Sequence, residues 1–379
     1  MKTRAGSKAL IREINEALVL DVVRAQRPVA RARIASETGL SPATVTGITA
    51  KLVQAGLLIE TDVARGTGGR PARLLDLGRG AVLAAGVRLS TSEVFVLLVN
   101  LRGEVVASHR EPLTSVRPED VGESIARAVR AASAGRESAT LIGVGVAISG
   151  VVDQASGEVR HSGSLGWAHV PFQAQLSSRL QAPVVIDSYA NSVASGLLLF
   201  DGRLAGRDLL VFSVGPSLGA SVVVQGGIHR GFSGAAGGFA HARVEAGARR
   251  PCHCGALDCL ETWSSGWGIQ RELGRRGHGD QRLDADAALL GEAGDRLGVA
   301  MANAAKMFGP ERVVVAFTPE MNLPELAARV ERVFRRQYEH ENTPAPDLEL
   351  TATDPSTHGR GAAYTVLARM FTVGATEQA

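Results

Sequence analysis

Apolar side chains at the start of the chain recur with the period of an amphipathic helix. Residues 9–25 place Ala, Leu, Ile and Val three and four positions apart, which predicts a first helix that ends before Pro28. Residues 29–38 keep this spacing, so we expect a short second helix that stops at Gly39. A glycine in this place favours a sharp turn into the next element.

A third helix is predicted directly after the turn. Ser41 is a good N-cap and Pro42 suits the first helical position, and the helical pattern continues to Ala55. Two helices joined by a short glycine-containing turn are typical of a helix-turn-helix, whose second helix enters the major groove of DNA. The residues expected to contact DNA from this helix are Ser41, Ala43, Thr44, Thr46 and Lys51. A helical hairpin that serves only packing is the alternative.

Two short apolar runs, residues 57–60 and 74–77, predict a pair of strands around a glycine-rich basic loop. An arginine on such a loop can enter a narrow minor groove, so we interpret the hairpin as the wing of a winged helix-turn-helix. The candidate DNA-binding residues of the wing are Arg65, Arg70 and Arg73. An ordinary hairpin loop is the alternative.

Beyond residue 80 the pattern predicts two similar groups of elements. The first group has strands over residues 82–88, 94–100, 105–110 and 141–148, with a helix over residues 118–134. The second has strands over residues 209–214, 220–225 and 312–317, with a helix over residues 284–307. Two successive meanders, each followed by a helix and a strand, indicate two α/β lobes with a cleft between them. A last helix over residues 359–373 can pack on either lobe.

Composition and charge add a constraint on partners. The 379 residues are 45% apolar and 21% charged, which suits two or three folded domains. No apolar run reaches the roughly 18 residues of a membrane span, and we find no signal-peptide pattern, so we expect a cytoplasmic protein without a membrane partner. Residues 1–79 carry 13 Lys/Arg and 7 Asp/Glu, a balance of +6, whereas the remainder carries 28 and 31, a balance of −3. This asymmetry favours a polyanionic partner for the first part alone, with a solvated basic face as the alternative.

All three cysteines lie within one short stretch, at Cys252, Cys254 and Cys259, with His241 upstream. Three thiolates and one imidazole are a ligand set for a closed, structural zinc site. Three thiols without a metal, or one disulfide with a free thiol, are the alternatives. His253 could take the place of His241 as the fourth ligand.

Four stretches resemble the ROK family (repressor, open reading frame, kinase). They are Gly-Thr-Gly-Gly-Arg-Pro from Gly66, GVGVAISGVVD from Gly143, SLGWAHVPF from Ser164 and CHCGALDCLE from Cys252. The resemblance implies an α/β chain in which a winged helix-turn-helix precedes a two-lobed body of actin-like ATPase fold. We therefore expect a DNA-binding domain over residues 1–80 and a body over residues 81–379, with the lobes meeting near residue 200. It also implies that His241 and the three cysteines hold structural zinc beside a sugar pocket.

Members of the family are sugar kinases or sugar-responsive repressors, and the kinase motifs are altered here. The first phosphate loop of the family, Asp-x-Gly-Gly-Thr, aligns with residues 88–92 and has lost its carboxylate and glycines. The second, Gly-Thr-Gly-x-Gly, aligns with residues 215–219 and contains Pro216. The catalytic motif Glu-Asn-Asp-Ala-Asn aligns with residues 187–191, so Tyr189 occupies the position of the base. We expect no catalytic residues and no kinase activity.

The sugar pocket that the resemblance implies is also altered. The glutamate of its Glu-x-Gly-His motif is replaced by Gly238, and its Asn-Asp pair by serine and tyrosine. The candidate effector-binding residues are Ser188, Tyr189, His241 and Glu261. The effector can then be a modified or phosphorylated sugar, an aromatic compound, or absent. Arg160 and Arg230, two arginines expected near the pocket, would suit an anionic ligand. Solvated surface arginines are the alternative.

Together these features predict a transcriptional regulator, most simply a repressor of carbohydrate-related genes. Its partners would be double-stranded operator DNA, a carbohydrate or related effector, and further copies of itself as a homodimer or a dimer of dimers. A sugar kinase with an appended DNA-binding head and a ligand-independent DNA-binding dimer are the alternatives.

Overall fold

The structure is a computed structural model. It describes residues 8–64, 72–200, 204, 206–244, 247–277, 282–339 and 344–371. Arg65 and Arg70, two of the predicted DNA-binding residues, lie outside the described residues.

The first part of the chain forms three helices and a small sheet, which we call the head. Its elements are α1 (Lys8–Gln26), β1 (Val29–Ala30), α2 (Arg31–Thr38), α3 (Pro42–Gln54), β2 (Leu58–Ala64) and β3 (Ala72–Leu77). The strands are ordered β1-β3-β2. Ile34, Val45 and Leu75 meet in the centre with no exposed surface, which fixes the angle between α2 and α3.

The predicted second helix is wrong at its start. Val29 and Ala30 form a short strand that pairs with Leu75 and Leu74 of β3, and the helix begins only at Arg31. Apolar spacing alone could not distinguish these two residues from a helix, because their partner strand lies 45 positions further on.

The next elements form the first lobe. They are β4 (Val82–Leu89), β5 (Glu93–Asn100), β6 (Val105–Pro112), α4 (Pro118–Ser133), β7 (Thr140–Ile148), β8 (Val151–Asp153), β9 (Glu158–Ser162), β10 (Trp167–Val170), α5 (Phe172–Leu180), β11 (Val184–Ser188) and α6 (Tyr189–Phe200). Five of these strands make a sheet ordered β11-β7-β4-β5-β6, and β8 to β10 form a separate small sheet.

The second lobe follows the same plan. Its elements are β12 (Leu209–Val214), β13 (Leu218–Val224), β14 (Gly227–His229), α7 (Glu261–Ser264), α8 (Gly266–Arg275), α9 (Ala287–Phe308), β15 (Arg312–Phe317), α10 (Pro324–Arg336) and β16 (Asp347–Ala352). Its sheet is ordered β14-β13-β12-β15-β16. In both lobes an antiparallel meander of three strands continues into two parallel strands, so the predicted repetition of strand groups is confirmed.

The C-terminal helix α11 (Pro355–Phe371) packs on the first lobe. It approaches the sheet so closely that a Cβ at Gly86 would lie 1.8 Å from the carbonyl oxygen of Gly359. A Cβ at Gly145 would similarly lie 1.9 Å from the carbonyl oxygen of Ala362. Glycine at both positions is therefore required by backbone contact between helix and sheet.

The head packs against the first lobe through a continuous apolar cluster. This cluster includes Val23 of α1, Leu97 of β5 and Leu367 of α11. At its edge the nearly buried carboxylate of Asp76 accepts a hydrogen bond from the Arg102 guanidinium at 2.6 Å. Within the described residues, no helix is long and apolar enough to cross a membrane.

Candidate functional site

The exposed face of α3 carries the short side chains predicted to contact DNA. Ser41, Ala43, Thr44, Thr46 and Lys51 are all exposed, whereas Val45, Thr49 and Leu52 point into the head. The Ser41 hydroxyl accepts the backbone N–H of Thr44 at 3.1 Å and caps the helix. The N-terminal turn of α3 is thereby fixed while its outer surface stays open.

Two of the predicted cations are held by carboxylates of the head. The Lys51 ammonium lies 2.6 Å from Glu16, and the Arg73 guanidinium lies 2.5 Å from Glu60. Both cationic side chains remain about half or more exposed, at 48% and 69%. Exposed ion pairs of this kind are weak, so a DNA phosphate can replace the carboxylate.

The cysteine stretch folds so that its thiols meet the imidazole of His241. The four ligand atoms of His241, Cys252, Cys254 and Cys259 all lie within 4.8 Å of one another. Cys252 Sγ lies 3.6 Å from His241 Nδ1, and Cys254 Sγ lies 3.7 Å from Cys259 Sγ. A tetrahedral zinc ion with ordinary bond lengths separates neighbouring ligand atoms by roughly 3.5–3.8 Å. The Cys252–His241 and Cys254–Cys259 separations fit such an ion, and the whole set lies within 4.8 Å.

The backbone around the thiols holds them in this position. Gly255 and Asp258 both adopt a left-handed conformation, with φ of 89° and 60°. The Asp258 carboxylate accepts the backbone N–H of Arg250 at 2.8 Å, which ties the two ends of the loop together. The N–H of Cys252 in turn donates to the carbonyl of Ala256 at 2.9 Å.

Burial makes free thiolates unfavourable in this cluster. Burial, together with the neighbouring Cys254 thiol, raises the pKa of Cys259 to about 12. Burial likewise raises the pKa of Cys252 and lowers that of His241. A bound cation would reverse this preference for the thiols, because it stabilises the thiolate form and uses neutral imidazole as a ligand.

A cleft between the lobes adjoins the cysteine cluster and encloses about 770 Å³, counting its open mouth. The ends of β7 and β11, the start of α6 and the short helix Gly238–His241 form its walls. The structure brings all four predicted effector-binding residues to this cleft: Ser188, Tyr189, His241 and Glu261.

Glu261 is the most buried acidic group of the cleft, with 1% exposure. One of its carboxylate oxygens accepts the backbone N–H of Leu218 at 2.8 Å, and the other has no hydrogen-bond partner. Burial raises the pKa of Glu261 to about 7. An unpaired buried oxygen is costly, so this atom is suited to a hydroxyl group of a bound ligand.

The hydroxyl group of Tyr189 is bonded inside the protein and does not face the cleft. Its hydroxyl donates to the backbone carbonyl of Leu89, and its ring packs on His358 at a centroid distance of 4.7 Å. Burial raises the pKa of this phenol to about 12. Tyr189 therefore closes one wall of the cleft and cannot accept a proton from a substrate at neutral pH.

Two backbone N–H groups of residues 215–219 are used within the protein, and a third position has none. Gly215 donates to the Ser217 carbonyl at 3.2 Å, Leu218 donates to Glu261, and Pro216 has no N–H. Ser217 also bonds through its hydroxyl to Ser149 of the other lobe at 2.6 Å. These groups therefore do not form the open cradle that a phosphate chain needs.

The loop at residues 88–92 is closed in a similar way. The hydroxyl of Ser90 accepts the N–H groups of Ser92 and Glu93, and the Ser90 N–H donates to the Glu93 carbonyl at 3.0 Å. The Arg88 guanidinium lies 3.4 Å from the Glu93 carboxylate. A tight turn stabilised by its own side chains occupies this place.

Arg160 and Arg230 are paired with acidic residues. Arg160 lies 3.3 Å from Asp153, and Arg230 lies 2.9 Å from the buried carboxylate of Asp187. Among the described residues that line the cleft, none is a lysine or an arginine. The suggestion from the sequence that these arginines suit an anionic ligand therefore finds no support in their geometry.

His161 and His253 also line the cleft, and the sequence did not indicate this role. Their rings lie 5.7 Å apart, and Nε2 of His161 is buried without a partner. His161 belongs to β9, whose place beside the cysteine loop is decided only by the packing of the small sheet. A single sequence contains no signal for that contact.

The chain is similar to known proteins over most of its length. The ROK family model matches residues 84–368. The xylose repressor of Caldicellulosiruptor bescii is 25% identical over 343 residues, covering 82% of this chain and 84% of that protein. The DNA-binding transcriptional dual regulator NagC of Escherichia coli K12 is 28% identical over 337 residues, with 83% of each chain covered.

Solved structures agree on the fold. A ROK family transcriptional regulator, described as a homologue of the Escherichia coli MLC protein, superposes with a TM-score of 0.76 at 21% identity, covering 95% of this chain and 98% of its own. A ROK family glucokinase from Streptomyces griseus, in complex with glucose and AMPPNP, gives 0.64 at 23% identity over 74% of this chain and 98% of its own. The regulator thus matches the head and the body, as the resemblance implied, and the chain belongs to the ROK family.

Proposed function

We propose that this protein is a DNA-binding, sugar-responsive transcriptional repressor with a body that does not catalyse phosphoryl transfer. One observation carries the proposal: a winged head with an open α3 surface is packed on a kinase-like body whose phosphate-binding loops are closed. Relatives named as repressors, each matched over more than four fifths of the chain, support the same conclusion.

In this proposal residues 1–80 bind DNA and residues 81–379 bind the effector and associate with a second copy. Ser41, Ala43, Thr44 and Thr46 approach base edges in the major groove, and Lys51 and Arg73 contact phosphates. Arg65 and Arg70 are assigned to the wing from the sequence alone. Two heads on a dimer, or on a dimer of dimers, would meet two half-sites of a palindromic operator.

The absence of kinase activity is proposed from hydrogen bonding. Phosphoryl transfer requires donors directed at the phosphate chain and a base near the sugar hydroxyl. Here the N–H groups of Gly215 and Leu218 are bonded internally, and Tyr189 donates its hydroxyl hydrogen to the Leu89 carbonyl. A sugar kinase with an appended head is disfavoured for these reasons.

The effector that suits the cleft is an uncharged polyhydroxy compound. Glu261 and His161 each offer a buried atom without a partner, and both can accept a hydroxyl hydrogen. No cation lines the described part of the cleft, so nothing there would compensate the charge of a phosphate group. Xylose, N-acetylglucosamine and glucose are the sugars in the names of similar proteins and are the first to test.

We further propose that His241, Cys252, Cys254 and Cys259 hold a structural zinc ion. Four protein ligands leave no open position, so the ion would brace the second lobe and orient the cleft face of His241 without taking part in chemistry.

The proposal is tested by titrating fluorescent DNA from the region upstream of the gene with the full-length protein. We expect binding that exceeds binding to random DNA by at least roughly a thousandfold and that weakens with salt. An uncharged sugar should change the affinity, and ATP with the same sugar should give no phosphorylated product. Equal affinity for both DNAs, or sugar phosphorylation, would contradict the proposal.

A further inference from the structure

A second concave site lies on the second lobe, outside the effector cleft. It is formed between the segment that precedes Cys252 and the helix α8, and it encloses about 780 Å³, counting its open mouth. Its walls carry four arginines and one carboxylate, from Arg249, Arg250, Arg271, Arg275 and Glu272. Only Arg250 also appears in the sites described above, where its backbone N–H bonds to Asp258.

The single carboxylate of this concavity is already shared. Glu272 accepts two hydrogen bonds from Arg275 at 2.9 Å and one from Arg276 at 3.0 Å, and it lies 3.5 Å from Arg250. These guanidinium groups lower the pKa of Glu272 to about 2. Its charge therefore cannot neutralise the remaining cations.

Two of the arginines have no carboxylate partner among the described residues. Arg249 lines the concavity, is exposed, and has a left-handed backbone with φ of 54°. Arg271 projects from α8 and lies over the Trp267 ring at 5.3 Å, which restricts its guanidinium to one side of the helix. Positive charge is thus concentrated in a concave surface with two fixed walls.

We propose that this concavity binds a phosphate group, either free or on a small phosphorylated metabolite, between Arg249 and Arg271. The planar guanidinium group matches the geometry of phosphate oxygens and forms paired, charge-assisted hydrogen bonds with them. A concave site favours a small anion over the flat surface of an acidic protein.

The site adjoins the effector cleft through Trp267. The Trp267 ring lies 4.9 Å from the ring of His253, which lines the cleft. An anion bound between the segment that precedes Cys252 and α8 would therefore stabilise the position of Trp267, which the two sites share. The proposed ligand of the cleft is uncharged and the proposed ligand of this concavity is an anion, so the two sites differ in the charge of the ligand that they bind.

Isothermal titration calorimetry of the full-length protein tests the proposal with inorganic phosphate, glucose 6-phosphate and glucose, at an ionic strength kept constant with sodium chloride. We expect saturable binding of phosphate and of glucose 6-phosphate, and a loss of at least about tenfold in affinity in R249A and in R271A. R130A, an exposed arginine of α4 on the first lobe, is the matched control and should bind as the unaltered protein does.

The phosphate source is decided by comparing the two anions. Equal affinity for phosphate and glucose 6-phosphate indicates recognition of the phosphate alone, and tighter binding of the ester indicates a metabolite. Binding that is absent, that equals the effect of chloride, or that survives in both arginine variants overturns the proposal. Binding of glucose 6-phosphate that is lost only in E261Q would place the anion in the effector cleft and also overturn it. Melting curves confirm that each variant is folded. Because R249A changes an exposed side chain, it should fold normally and so test binding alone.

Discussion

The rings of His358 and Tyr189 pack together at a centroid distance of 4.7 Å. They lie between α11 and the loop at residues 88–92, where the Tyr189 hydroxyl donates to the Leu89 carbonyl. His358 is 1% exposed, and neither of its ring nitrogens has a hydrogen-bond partner. The C-terminal helix thus packs against the start of α6 through this pair of rings.

This pairing predicts a loss of stability in acid. Burial, followed by the nearby Arg88 guanidinium, lowers the pKa of His358 to about 4, and Asp354 only partly offsets these effects. The unfolded chain binds a proton at His358 near pH 6.5, whereas the folded protein does so only near pH 4. The free energy of unfolding should therefore fall by up to about 3 kcal/mol from this group as the pH falls through that window. H358F should remove this part of the pH dependence in urea denaturation at pH 7 and pH 4.5, and an unchanged difference would contradict the assignment.

Replacing Tyr189 by phenylalanine should affect stability and not DNA binding. Y189F leaves the Leu89 carbonyl without its donor, which should cost about 1–2 kcal/mol in urea denaturation. Affinity for operator DNA should remain within about twofold because Tyr189 lies far from α3 in the fold. A loss of DNA binding in a variant that is still folded would show that Tyr189 is coupled to the head.

The cysteine cluster predicts a metal-dependent second lobe. C254S should release zinc, measured by elemental analysis, and should lower the melting temperature by about 5–10 °C. S156A, a turn residue of the first lobe, is a control that should keep both the metal and the melting temperature. Retention of zinc at full stoichiometry in C254S would refute the proposed ligand set.

Lys51 should contribute to DNA affinity without contributing to sequence preference. K51A should weaken binding to operator and to random DNA by a similar factor and reduce the salt slope by about 0.9, the value for one phosphate contact. R335A, on α10 of the second lobe, serves as the control and should leave the slope unchanged. A variant that discriminates less between the two DNAs would instead indicate contact with a base.

The effector response should depend on Glu261 and His161. E261Q and H161A should each reduce sugar affinity by about tenfold or more while the affinity for DNA stays the same, because both atoms face the cleft and neither belongs to the head. E331Q, an exposed glutamate of α10, is the control for loss of charge. Thermal shift with xylose, N-acetylglucosamine and glucose measures the effect, and normal sugar binding by both variants would show that the ligand binds elsewhere.

The sequence by itself determined the elements and much of the chemistry. Periodic apolar positions identified α1, α3 and the strands β4 to β7, β12, β13 and β15, because helices and buried strands impose their own spacing on side chains. The strands β8 to β11 and β16 were not predicted. Ser41 and Pro42 marked the start of α3 because capping is a local interaction. The three cysteines and His241 were recognisable since few other arrangements explain such a cluster.

The tertiary structure alone decided what these residues face. It changed Val29 and Ala30 from helix to strand through pairing with β3, and it turned the Tyr189 hydroxyl away from the cleft towards Leu89. It also brought His161 to the cleft and grouped Arg249 with Arg271. These contacts join residues that are distant in sequence, and their energies depend on packing and burial. Local sequence patterns carry no information about packing or burial, so only the folded chain could determine these contacts.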